Sequence, residues 1–219
     1  MNRRTLVLGT AALGAVAFAG GATVVTRQRR AEAVQAAAAP LPFDPAILVR
    51  PHSPVLGPAD APVTIVEFFD PSCEACRAFH PVLEEIRATY PEEVRLVLRY
   101  AAFHEGSDEA VRILETARRQ GKFEQVMNAL LEKQPEWAID GSPDLDLAWR
   151  IAGAVGLDIA QGKADRLFPG ITAILNADAA DVIAAGINRT PTFFVNAKPL
   201  AEFGAEELAE AVRAEVEAL

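Results

Sequence analysis

Cysteine is scarce: the 219-residue chain has two, Cys73 and Cys76, with two residues between them. Two sulfurs so close together exclude a disulfide framework, so the domain must stand on its apolar core. No second cysteine pair is present to complete a zinc site. Methionine (2) and histidine (3) are equally sparse, so no Met-rich or His-rich tract marks traffic in copper. Basic charge is also short, with 21 Lys and Arg against 30 Asp and Glu. Five of the 21 lie in residues 1–30, which hold no acid, leaving 16 basic against 30 acidic residues and a net charge of −14 beyond them. That balance argues against a nucleic-acid partner and is neutral about thiol chemistry. Internal repeats are lacking, and so is a second segment with a core of its own.

The stretch that is present, and that organises the rest, runs from Val63 to Pro81. Val63 to Phe69 is a β-branched and aromatic run, too short for a helix and ended by Asp70-Pro71, which predicts a buried strand. Val82, Leu83, Ile86 and Tyr90 follow at helical spacing. The two cysteines sit at the junction. Unpaired N–H groups and the positive end of the helix dipole favour a thiolate at Cys73, and Cys76, one turn in, is within reach of a mixed disulfide formed there. A structural bridge is the weaker account, because a two-residue loop constrains the unfolded chain very little. Glu67 interrupts the apolar strand, and a buried carboxylate there is expected to hold its proton to high pH.

The N-terminus opens with Arg3-Arg4 and continues with 22 uncharged residues, Thr5 to Thr26. Residues 1–30 read as an export signal, cleaved or kept as a membrane anchor by residues 5–26, with a loose likeness to a twin-arginine leader. Residues 31–58, Ala- and then Pro-rich, read as a spacer, and His52 within them carries no signal. The domain is then 59–219.

After a turn at Pro91, Val94 to Tyr100 is the second strand, completing a parallel βαβ unit. Ala101 to Arg189 has almost no strand signal. Ser107 starts a helix, Phe123 to Leu131 a second, and Leu145 to Ala152 a third that ends at Gly156; further helix runs toward Gly186. Thr192 to Val195 is a strand, Asn196 to Pro199 a turn, Leu200 to Phe203 a returning strand, and Leu208 to Leu219 a final amphipathic helix.

These residues resemble the DsbA-like thiol–disulfide oxidoreductases of the thioredoxin superfamily. The Cys-x-x-Cys carries the likeness, together with Glu67 six residues before Cys73, Pro81 five after Cys76, the Leu56 to Val63 lead-in, and Thr190-Pro191-Thr192-Phe193-Phe194-Val195-Asn196. The last of these resembles the loop and strand that face the cysteines in that family. The resemblance implies an α/β thioredoxin fold, a central mixed sheet flanked by helices, with an all-helical insertion (about 104–186) between the second core strand and the cis-Pro strand. It implies that Cys73 is the nucleophile, that Cys76 resolves, that Glu67 ferries a proton to or from Cys76, and that Pro191 is cis. Thr190 would then expose its backbone to an extended substrate. Arg189 is either a solvated charge or a cation helping the Cys73 thiolate.

The expected activity is exported protein disulfide exchange through a redox-active Cys73–Cys76 disulfide, with no dissociable cofactor and no metal. Cysteine-containing exported proteins are the expected substrates, with a membrane or thioredoxin-like redox partner, for a monomer in the periplasm or another extracytoplasmic space. Glu74 beside Cys73 opposes thiolate formation and Arg77 offsets part of this, so the couple is expected to be less oxidising than a strong dithiol oxidase, and the direction of electron flow stays open. The alternative is a copper-handling protein of the same fold, using Cys73, Cys76 and His80 as soft ligands in a C-x2-C-x3-H pattern.

Overall fold

The structure is a computed structural model describing residues 40–219 except Gly141, together with Gln28. The expected export or anchor segment (Gln28 apart) and residues 31–39 of the spacer lie outside the described residues. Leu41–Leu200 and Gly204–Leu219 form one compact unit; Ala201–Phe203 group apart from it.

The β-branched run becomes β2 (Val63–Phe69), and the second run becomes β3 (Val94–Tyr100), parallel to it from Val63 beside Val94 to Phe69 beside Tyr100. The sheet order is β1-β3-β2-β4-β5, with β1 (Val55–Leu56) antiparallel to β3, β4 (Thr192–Val195) antiparallel to β2 and β5 (Lys198–Pro199) antiparallel to β4. The sheet is therefore mixed.

Alternate side chains serve two cores. Val63, Ile65 and Phe69 join Leu96, Leu98, Phe193 and Val195 on one face, where α1 (Glu74–Thr89) and α8 (Ala205–Glu217) pack. Val66, Phe68, Val97 and Phe194 pack with Leu48 and Val182 on the other. Burial on both faces is why β2 reads as a continuous apolar run. Glu67 has odd parity and so points into the face that carries the cysteines.

Between β3 and β4 the described residues are helical: α2 (Ser107–Arg119), α3 (Phe123–Glu132), α4 (Gln134–Trp137), α5 (Leu145–Ala154), α6 (Ile159–Asp165) and α7 (Pro169–Ala184). This is the thioredoxin fold with an all-helical insertion. Asp144 and Asp158 cap α5 and α6 by accepting the N–H groups of Leu147 and Gln161. Among the described residues no single helix is long and apolar enough to cross a membrane.

Two expectations are corrected. Residues 41–58 are built into the domain instead of forming a spacer up to residue 58. Leu48 and Leu56 are buried, Val55–Leu56 is the edge strand, and the Arg50 guanidinium donates to both Asp181 oxygens at 2.7 and 2.8 Å. The prolines fit because none needs a ladder N–H: Pro54 precedes β1, and Pro45 opens a 3-10 turn. Gly57, at φ 108°, turns the chain where a Cβ would meet the Val94 carbonyl at 2.8 Å. The closing hairpin is also tighter than expected. Asn196 and Ala197, at φ 46° and 61°, form a two-residue turn, and the return strand is β5 (Lys198–Pro199), not Leu200 to Phe203.

A buried ion network was not foreseen. Arg99, wholly buried on β3, donates to Asp178 and Asp181 of α7 at 2.7 Å each, and His52 meets Asp178 at 2.7 Å. His52, silent in the sequence, therefore helps fasten the 41–58 segment.

Candidate active site

Cys73 is the N-cap of α1, with extended backbone (φ −76°, ψ 122°), so its sulfur stands at the mouth of the helix where the free N–H groups are. Its Sγ lies 3.3 Å from the Thr190 carbonyl oxygen, across the cis Thr190–Pro191 peptide. Only 6% of the residue is exposed, against 1% for Cys76. Both are free thiols here. The hydrogen bond donated by the Cys76 thiol holds the Cys73 thiol down at about 5, against the opposing effect of burial and with help from Thr190 and the N–H groups of Cys76 and Ala75. Cys76 is pushed far up, first by burial, then by its bond to Cys73 and by the charge of Glu67. Burial raises Glu67 to about 8, the bond from Cys76 lowers it in part, and the Cys73 charge raises it further. Near neutral pH the site holds one thiolate, one thiol and one protonated carboxyl. Glu67 Oε1 has no hydrogen-bond partner among the described residues, which leaves that oxygen available for a proton.

The strand positions explain the assembly. Glu67 pairs with Leu98 and Phe193 in the sheet, directly under α1. Pro81 sits inside α1 and removes the bond that its N–H would have given to the Arg77 carbonyl.

Arg189 is exposed, and its carbonyl accepts from the Thr192 hydroxyl at 2.8 Å. Glu74 is exposed, so water screens its opposition to the Cys73 thiolate. His80 does not join the cysteines. It lines a separate groove with Arg77 and Asn128, its Nε2 3.5 Å from Glu84, and among the described residues no group of three or more His, Cys, Asp or Glu could hold a metal. His80 is turned to the groove it shares with Glu84 and Asn128, so the ligand set of the copper reading is not assembled among the described residues.

Sequence reasoning missed the clamps. Gln134, buried on α4, donates to the carbonyls of Pro71 at 2.8 Å and Cys73 at 3.0 Å and accepts from Arg77 Nε at 3.1 Å. Asp70, read only as a turn, is fully buried and binds Ser72, Phe103, His104 and Ser107. A lone Gln among helices gives no sequence signal. The Asp-Pro that ends β2 gave one that was read as chain punctuation. A cleft of about 400 Å³ opens beside Cys73, with Glu74, His104, Glu105 and Asp140 at its walls.

A family model described as thioredoxin matches residues 50–214. The chain is similar to a thioredoxin-like oxidoreductase from Silicibacter pomeroyi DSS-3, with 34% identity, a TM-score of 0.69, and coverage of 80% of this chain and 99% of that one. It is similar to oxidised BdbD from Bacillus subtilis, with 26% identity, a TM-score of 0.67, and coverage of 75% and 93%. Among curated proteins it is 33% identical over 164 residues to the Na(+)/H(+) antiporter NhaA 1 of Mycobacterium sp. (strain KMS), covering 69% of this chain and 25% of the antiporter. The chain thus spans about a quarter of the length of the curated relatives it matches.

Proposed function

The chain belongs to the thioredoxin family, with the architecture of its DsbA-like thiol–disulfide oxidoreductases, and from that premise we propose that it oxidises cysteine pairs in exported proteins through Cys73 and Cys76. The observation that carries this is the split between the two sulfurs, Cys73 held near 5 and Cys76 pushed far up.

In the oxidised protein a substrate thiolate attacks Cys73 Sγ and the Cys73–Cys76 bond breaks. Cys76 leaves with the electron pair and takes up a proton, for which Glu67 is the adjacent donor. A second substrate thiolate then attacks the substrate sulfur of the mixed disulfide and releases Cys73 as thiolate. Two electrons pass from the substrate dithiol to the protein. Thr190 offers its backbone beside Pro191 to an extended substrate, in the manner of strand addition.

Stabilising the Cys73 thiolate favours the reduced protein, which is what makes a couple oxidising. A thiol near 5 falls between the strongest oxidases and thioredoxin, so the reduction potential should fall between roughly −120 and −270 mV. Reoxidation would fall to a membrane or thioredoxin-like redox partner. The apolar run at residues 5–26 supports an extracytoplasmic location, as an export signal or tether.

The test is trapping. Cys76→Ala should accumulate mixed disulfides with client proteins on non-reducing gels, while Cys73→Ala should neither trap nor exchange. A Cys76→Ala protein that captures no client in cells, and exchanges with no glutathione in vitro, would sink the proposal.

A further inference from the structure

Asp70 follows β2 with its carboxylate fully buried. One oxygen accepts the Ser72 N–H at 2.9 Å and the Ser107 hydroxyl at 2.5 Å. The other accepts the N–H groups of Phe103 and His104 at 2.8 and 3.1 Å and meets His104 Nδ1 at 2.8 Å. This carboxylate ties the loop that carries Cys73 to the loop after β3. It also fixes the imidazole with Nδ1 as the donor, and His104 lines the cleft shared with Cys73. Gly106, at φ 76°, makes this loop possible, since the turn into α2 needs a left-handed residue there.

The other charged groups facing the cleft are Glu74 at the start of α1, Glu105 beside the histidine and Asp140 after α4, all of them carboxylates. Arg77 is turned to Gln134, and neither it nor the exposed Arg189 lines this cleft. The cleft beside Cys73 is therefore walled by carboxylates, and the one basic side chain lining it, among the described residues, is His104.

We propose that Asp70 and His104 are a positioning pair for Cys73: Asp70 holds a protonated imidazole at the cleft wall, and that imidazolium steadies the Cys73 thiolate. The pair deepens the oxidoreductase reading and rests on it. It replaces the positive charge that Glu-Ala, the dipeptide between the cysteines, does not provide. The electrostatics agree in sign. Burial works to lower His104, and the hydrogen bond and charge of Asp70, with the charges of Cys73 and Asp140, outweigh it and raise the group above its ordinary value. Its protonated form therefore persists to higher pH than that of an ordinary imidazole, into the range where Cys73 is a thiolate.

The experiment is a pH titration of thiolate ultraviolet absorbance in the reduced full-length protein, parent against His104→Gln and His104→Lys. Removing the cation should raise the Cys73 midpoint and cut the thiolate fraction below it by about three- to tenfold, the size expected of a partly solvated charge pair. His104→Lys, a fixed cation, should restore the parent midpoint. The reduction potential should move to a less oxidising value in the Gln variant and return in the Lys variant. An unmoved midpoint in His104→Gln, or a Lys variant that behaves as Gln does, would overturn the pairing. The titration needs no substrate, so a parent protein that failed to exchange disulfides would count against the oxidoreductase reading and leave this result legible.

Discussion

Glu67 sets the pH behaviour of the site. In the fold it keeps its proton up to about pH 8, whereas the ordinary carboxylate loses it near 4.5. Between these values Glu67 binds more protons in the folded chain than in the unfolded one, so its contribution to stability falls as pH rises through that window and levels off above it, while the lowered Cys73 contributes the opposite slope. Glu67→Gln removes the Glu67 contribution and leaves that of Cys73. In urea melts of the reduced protein, the variant should match the parent at pH 4 and exceed it by about 2–4 kcal/mol at pH 9. The same change should slow departure of Cys76 about tenfold or more in stopped-flow exchange, since the adjacent proton donor is gone. A variant with the parent's pH slope would show that Glu67 is not the group that titrates. The sequence announced this residue, because a carboxylate within an apolar run is costly to bury and so stands out against its neighbours. It did not announce Gln134, whose bonds to Pro71 and Cys73 depend on where α4 lands.

Among elements, the join between β3 and α7 is the costly one. Arg99 carries a full charge into the core, and Asp178 answers it through one oxygen while its other oxygen accepts the Tyr100 N–H at 2.8 Å. Removing one partner leaves the other charge buried and uncompensated, so Asp178→Ala should cost about 3–5 kcal/mol in chemical denaturation. A loss below about 1 kcal/mol would mean that Asp181 alone neutralises Arg99. The apolar periodicity of α2, α3 and α5 was legible because each buries one stripe. The pairing of Asp178 with Arg99 was not, because 79 residues separate them and nothing local marks either as a partner.

Taken whole, the domain begins before its first core strand. Leu48 and Leu56 are 2% and 7% exposed, and each buried leucine contributes about 1.5–3 kcal/mol. Arg50 and His52 add contacts to Asp181 and Asp178, and β1 covers the edge of β3. A chain started at Leu41 should therefore melt cooperatively, while one started at Ala59 should lose several kcal/mol and expose a bare sheet edge, read as a lower melting midpoint and aggregation. Equal midpoints for the two would show that the lead-in is decoration.

The sequence by itself determined the strand–helix junction, the Cys73–Cys76 dithiol, the buried acid at Glu67 and the helical character of the insertion. Each of these is a local signal, a matter of spacing or of one residue out of keeping with its neighbours. The tertiary structure alone decided that Asp70 and Gln134 clamp the Cys73 loop, that His104 lines the cleft while His80 faces another groove, and that residues 41–58 belong to the domain. Those outcomes depend on which distant segments pack together, and packing is set by the sum of buried surface and paired charge over the whole chain, which no short stretch encodes.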